Sequence, residues 1–207
     1  MDFENKTYTL TFGDRAENHR GMQIIGTQAR DGFTYQDLRD IKINFENAGA
    51  TCKLIKLNRY LPESIDVDKA YILIIRNGVD YVSDKVSADK LYVEQENLEY
   101  DKKAFMYGRV VNKNARYNLC FSEKSQKADY EIGKGTIVAF HNVKTLNRMR
   151  KTLSDFFGVK AKDLQIEANF YYDIDKCGIG YHGDSERKIV IGIRLGGFYV
   201  FALSMVS

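Results

Sequence analysis

Residues 169–196 read NFYYDIDKCGIGYHGDSERKIVIGIRLG, and within them His182-Gly183-Asp184 sets an imidazole two positions from a carboxylate. On an extended strand, residues i and i+2 project to the same face, so both side chains can converge on one ion. Nitrogen plus carboxylate oxygen is the ligand set of a non-haem Fe(II) centre, which takes a second histidine to complete its facial triad. The same letters also suit a surface turn, where Gly and Asp are favoured. Ile189 to Gly196 then follows as an apolar strand pattern.

Upstream, the chain divides into three segments. In the first, Thr7 to Phe12 (TYTLTF) alternates polar and apolar residues and predicts a strand. Thr34 with Asp37 predicts a capping box, Tyr35, Leu38, Ile41 and Phe45 follow at helical spacing, and Gly49 supplies the stop. Cys52 to Leu57 predicts another strand, and Ala70 to Ile75 a buried one running into an Asn77-Gly78 turn. Residues 80–104 are rich in charge and poor in large apolar side chains, the composition of a linker or exposed loop. From 105 onward short strands resume, including Ile137 to Phe140. One amphipathic helix interrupts them, with Val143, Leu146, Met149, Leu153 and Phe156 on its stripe and Gly158 at its end.

Composition narrows the class. The 207 residues are 44% hydrophobic and 29% charged, which excludes wholesale disorder. With 31 Lys+Arg against 28 Asp+Glu the net charge is +3, too small to argue for nucleic acid by itself. Cys52, Cys120 and Cys177 stand singly and read as reduced thiols of a cytoplasmic or nuclear protein. The N-terminus, MDFENKTYTL, lacks the apolar core of a secretory signal. Residues 189–207 carry one charge, as a membrane anchor would, but Arg194 near the centre and Gly196-Gly197 disfavour insertion.

The order Asn169-Phe170-Tyr171, Ile179-Gly180-Tyr181-His182-Gly183-Asp184-Ser185-Glu186, then a strand ending Leu-Gly, resembles the AlkB-like branch of the 2-oxoglutarate and Fe(II)-dependent dioxygenases. The resemblance implies an α+β chain: a small N-terminal α/β segment (1–80), a polar linker or loop (81–104), and a truncated, incomplete double-stranded β-helix, or jelly-roll, domain (105–207). It implies His182 and Asp184 as iron ligands and Asn169 and Tyr171 as hydrogen-bonding partners of 2-oxoglutarate. Glu186 would be a catalytic residue near the substrate, and Asn112 to Arg116 would match a substrate lid. The reaction implied is oxidative hydroxylation or demethylation, with Fe(II) and 2-oxoglutarate as cofactors and nucleic acid as the partner.

The residues also allow plainer roles: Asn169 closing a turn, Tyr171 in the core, Glu186 solvated beside Arg187 and Lys188, and 112–116 an exposed loop. His141 reads as a cap or half-buried histidine, and His19 as part of a polar loop or a ligand contact. After Asp184 the chain contains no histidine and no arginine besides Arg187 and Arg194. The alternative function is therefore a catalytically inactive nucleic-acid- or protein-binding module of the same fold. Arg109, Arg116, Arg148, Arg150 and Lys151 would serve its contacts.

Overall fold

In Thr7–Gly13 (β1) the alternation is realised as a central strand. Tyr8, Leu10 and Phe12 are buried on one face, while Thr7, Thr9 and Thr11 occupy the other. The computed structural model describes residues 5–62, 64–173, 175–180 and 182–197. Following β1 come β2 (Arg15–Glu17), β3 (Ile24–Gly26), α1 (Tyr35–Asn47), β4 (Cys52–Lys56) and β5 (Tyr71–Ile75). Next are α2 (Val79–Val82), α3 (Ala88–Glu96), β6 (Lys103–Met106), β7 (Arg109–Asn112) and β8 (Tyr117–Ser122). The order closes with β9 (Ile137–Ala139), α4 (Lys144–Phe157), β10 (Gln165–Tyr171) and β11 (Val190–Gly196).

The architecture is mixed α+β, built on a five-stranded sheet of order β11-β1-β10-β8-β9. β1 is antiparallel to β10 and β11, β10 is antiparallel to β8, and β9 runs parallel to β8. Register stacks Leu10 beside Ala168 and Ile193, and Phe12 beside Ile166 and Ile191. Helices cover that apolar face. Ile41 and Phe45 of α1, Leu91 and Tyr92 of α3, and Leu146, Met149 and Leu153 of α4 join one core with it. Burying each large side chain there contributes about 1.5–3 kcal/mol.

The expected local signals hold at α1. The Thr34 hydroxyl accepts from Asp37 N, the Asp37 carboxylate accepts from Thr34 N, and Gly49 follows the helix with φ +95°. β9 stops at Ala139, and Phe140 lies in a helical turn instead of the predicted strand.

Residues 80–104 depart from the expectation of a linker or exposed loop. They hold α2 and α3, and Val82, Val86, Leu91, Tyr92, Gln95 and Tyr100 are all buried. The reason is patterning: Asp89, Lys90, Val93 and Glu96 take the outer side of α3, so its few apolar residues suffice to dock it. The division at 80 and 104 is corrected too, because β1 of the first segment lies between β10 and β11 of the third. Among the described residues no helix is long and apolar enough to cross a membrane. Within 189–207, Val190–Gly196 is a strand, and residues 198–207 lie outside the described residues.

Candidate functional site

The face of the main sheet opposite the helices is polar. Along β10, Glu167, Asn169 and Tyr171 point away from the apolar core formed by Ile166 and Ala168. Register sets Thr11, Thr9 and Thr7 of β1 beside them, and Cys120 and Asn118 of β8 beside Glu167 and Asn169. Part of this face is roofed by β2 and β3, where Ala16 and Ile25 pack on Cys120. Two buried atoms on the floor, Thr9 Oγ1 and Asn118 Oδ1, have no hydrogen-bond partner among the described residues. Such orphaned groups cost about 1–3 kcal/mol each unless water or a ligand meets them.

His182 and Asp184 lie on the irregular segment between β10 and β11, not on the extended strand that the sequence suggested. They nevertheless converge: His182 Nε2 is 3.5 Å from Asp184 Oδ1. His182 Nδ1 is 2.7 Å from Gly180 O. A carbonyl only accepts, so this contact assigns the proton of the neutral ring to Nδ1 and leaves a lone pair on Nε2 facing the carboxylate. A protonated ring would donate to both Gly180 O and Asp184, and a cation held between Nε2 and Oδ1 would serve the neutral ring equally. Burial raises the Asp184 carboxyl above its ordinary range, and the guanidinium of Arg187 opposes that rise.

Arg187 ties the pair to the sheet. Its side chain is only 5% exposed, with Nη2 at 2.8 Å from Glu167 Oε2 and 2.6 Å from Glu186 Oε1. Nε donates to Glu186 Oε1 at 2.8 Å and lies 3.4 Å from Asp184 Oδ2. Burial alone would lower its basicity, but Glu167, Glu186 and Asp184 raise it well above that of a free guanidinium. Glu186 is therefore neither a solvated charge nor aimed away from the protein. Burial would raise its carboxyl, yet its own backbone amide and Arg187 bring it below the ordinary range. Glu17 belongs to the same field: burial raises it, and Glu186 and Glu167 add to the rise.

Asn169 does not close a turn. It is 5% exposed in mid-strand, and Nδ2 donates to Glu167 Oε1 at 3.1 Å. Its Oδ1 accepts from Arg116 Nε at 2.6 Å and from Asn118 Nδ2 at 2.6 Å. Tyr171 is buried two residues further along the same face. Asp184, Arg187, Glu167, Asn169 and Arg116 thus form one continuous polar chain. Of the expected site residues, His182, Asp184, Glu186 and Asn169 are joined directly or through it, and Tyr171 shares their side of the sheet.

The region 112–116 is not uniformly an exposed loop. Lys113 is 8% exposed and donates to Asn18 Oδ1, while Asn18 Nδ2 donates to Asp101. Burial depresses the Lys113 ammonium to about 8, with Asp101 acting against the fall. His19 sits half-buried near this end, its basicity lowered by burial and by Lys113 and Arg116. His141 is exposed in the turn before α4. Arg150 is removed from the basic set expected to face a partner. It is buried, donating to Leu164 O, pairing with Glu123 and stacking over Phe140 at 4.0 Å.

Glu167, Arg187 and Glu17 were not singled out from sequence. Glu167 shares a face with Asn169 two positions on, a relation that appears only once Gln165–Tyr171 is a strand. Arg187 and Glu17 carried no signal in the sequence, because a loop brings in the first and the packing of β2 on the main sheet the second. Among the described residues, no group of three or more His, Cys, Asp or Glu converges as a metal set.

No family model matches the chain. No solved structure matches it. The chain is similar to a protein of Acanthamoeba polyphaga mimivirus described as "Uncharacterized protein R156", 47% identical over 194 residues, which are 92% of this chain and 74% of that one. At that identity and coverage, the chain belongs to the same protein family as this viral protein.

Proposed function

We propose that the chain is a 2-oxoglutarate- and Fe(II)-dependent dioxygenase of the AlkB-like kind, with an alkylated nucleic-acid base as its substrate class. Its sheet is then the larger half of an incomplete double-stranded β-helix. The observation that carries this reading is the meeting of His182 Nε2 and Asp184 Oδ1 at 3.5 Å, with Nδ1 of the ring turned to Gly180 O. One imidazole nitrogen and one carboxylate oxygen fit two positions of a ferrous facial triad, the others remaining for a third ligand, co-substrate and dioxygen. Iron with 2-oxoglutarate would supply the oxidation of a C–H bond, the protein supplying orientation and exclusion of water.

The chain's own residues have separate tasks in this reading. Gly180 O holds the His182 ring in the tautomer that binds metal, as the outer partners of metal-binding histidines commonly do. Arg187 engages Asp184 Oδ2 and leaves Oδ1 turned toward the imidazole. Asn169 and Tyr171 line the polar face where 2-oxoglutarate would lie, and Glu186 stands at its rim for the substrate. Anaerobic addition of Fe(II) and then 2-oxoglutarate is expected to give a weak visible charge-transfer band. No band at millimolar ligand would overturn the enzyme.

One observation favours the inactive nucleic-acid- or protein-binding module as a second reading. The described residues bring two metal-binding side chains together, not three. This reading expects nucleic-acid binding that is unaffected by Fe(II) or chelator.

A further inference from the structure

We infer that Asp14 is the positioning residue that holds the segment bearing His182 and Asp184 in place for a metal ion. The inference rests on the dioxygenase reading and adds to it a residue outside the ligand set. Asp14 fills the one-residue corner between β1 and β2. Its Oδ1 accepts from Lys188 N at 2.9 Å and from Ile189 N at 2.8 Å, where the irregular segment enters β11. Its Oδ2 accepts from Ala29 N at 2.7 Å. A single carboxylate therefore joins the site segment to the loop between β3 and α1.

That loop completes the hold. Beside Ala29, Gln28 Nε2 donates to Ser185 O at 3.1 Å and to Glu186 O at 3.0 Å. Arg187, between these contacts, reaches Glu167. Every residue from Ser185 to Ile189 is thus gripped by a group outside the segment, and Asp184 directly precedes them. Glycine permits the close seating. A Cβ at Gly13 would lie 2.9 Å from Ile189 O and 3.2 Å from Arg187 Cδ, and one at Gly32 would lie 2.5 Å from Lys188 O.

Position matters because Arg187 is the link to the metal-binding side chains. Its Nε lies 3.4 Å from Asp184 Oδ2, which leaves Oδ1 facing His182 Nε2. A shift of Lys188 and Ile189 would carry Arg187 away from Glu167 and Asp184 together. Burial raises the Asp14 carboxyl, yet the backbone N–H groups it accepts from outweigh that and keep it below the ordinary range. It holds those amides as a charged acceptor, the stronger kind of hydrogen bond.

The test uses the full chain as wild type, Asp14→Ala, Asp14→Asn and Gln28→Met. Fe(II) affinity is measured by anaerobic competition with a chelator, and amide hydrogen exchange is followed peptide by peptide. Asp14→Ala should weaken Fe(II) about tenfold, the low end for outer partners of metal ligands. It should speed exchange across 182–189 and leave β1 and β10 protected. Asp14→Asn keeps one acceptor oxygen and should lose less. Gln28→Met changes no charge, so weaker Fe(II) binding in it separates positioning from the loss of a nearby negative charge. It also carries the comparison if the Asp14 variants do not fold. Unchanged Fe(II) affinity in Asp14→Ala and Gln28→Met would overturn the role of Asp14 and leave the dioxygenase reading standing. Faster exchange spread evenly over the sheet, with a matching fall in thermal midpoint, would overturn it too, by making Asp14 a residue of the fold only. Failure of the wild type to bind Fe(II) would overturn the dioxygenase reading and the metal role of Asp14 together.

Discussion

Arg187 Nη2 lies 2.8 Å from Glu167 Oε2, and this ion pair joins the irregular segment bearing His182 and Asp184 to the strand bearing Asn169 and Tyr171. Side-chain exposures of 5% and 12% place it largely out of solvent. The two halves of the candidate site therefore share one rigid support.

Removing one partner of such a pair leaves an uncompensated charge inside the protein, which costs about 3–5 kcal/mol. Glu167→Gln should lower stability by roughly this amount in urea denaturation. It should also loosen Asn169, whose amide donates to the same carboxylate. A loss below about 1 kcal/mol would mean that Arg187 finds enough compensation in Glu186 and Asp184.

His182 presents a different case. Its side chain is 47% exposed and lies outside the helical core, so His182→Ala should leave the thermal midpoint nearly unchanged while abolishing Fe(II) uptake. Collapse of stability in that variant would make the histidine structural.

Lys113 gives the chain a pH signature. Its folded pKa, near 8, lies below the ordinary lysine value of 10.5 because the ammonium is buried. Between those two values the unfolded chain holds more protons than the folded one, so stability should rise with pH across that window. The penalty relieved is roughly 3 kcal/mol. A Lys113→Met variant should lose that rise in denaturation series from pH 7.5 to 10. Carbon-13 titration of the lysine side chain should show a midpoint near 8 in the wild type.

α3 supplies a packing test. Leu91 is fully buried in the main core, and Leu91→Ala should cost about 2–5 kcal/mol, with the larger values if the cavity stays open. The neighbouring Lys90→Ala should stay within about 0.5 kcal/mol, as exposed substitutions do. Equal small effects would indicate that residues 88–96 are peripheral after all.

Local chemistry was legible in the letters wherever one short segment contains both the cause and its effect. The Thr34–Asp37 capping box, the alternation of β1, and the stripe of α4 each satisfy a backbone period without distant help. The polarity of residues 80–104 misled because a helix of nine residues needs only Leu91, Tyr92 and Gln95 to dock when a sheet already offers an apolar face. Arg150 misled in the opposite sense, as a charge held inside by Leu164, Glu123 and Phe140.

By itself the sequence determined that His182 and Asp184 are close neighbours and that the chain is α+β, whereas the strand on which Asn169 and Tyr171 share one side came from the fold. Tertiary structure alone decided which side of that strand is polar and roofed, and that Arg187 and Glu167 bind its two halves together. It also brought Arg116, 53 positions away, onto Asn169. The physical reason is that backbone periods act over a few residues, whereas ion pairs and buried hydrogen bonds form only after sheet register has set distant side chains within about 3 Å of each other.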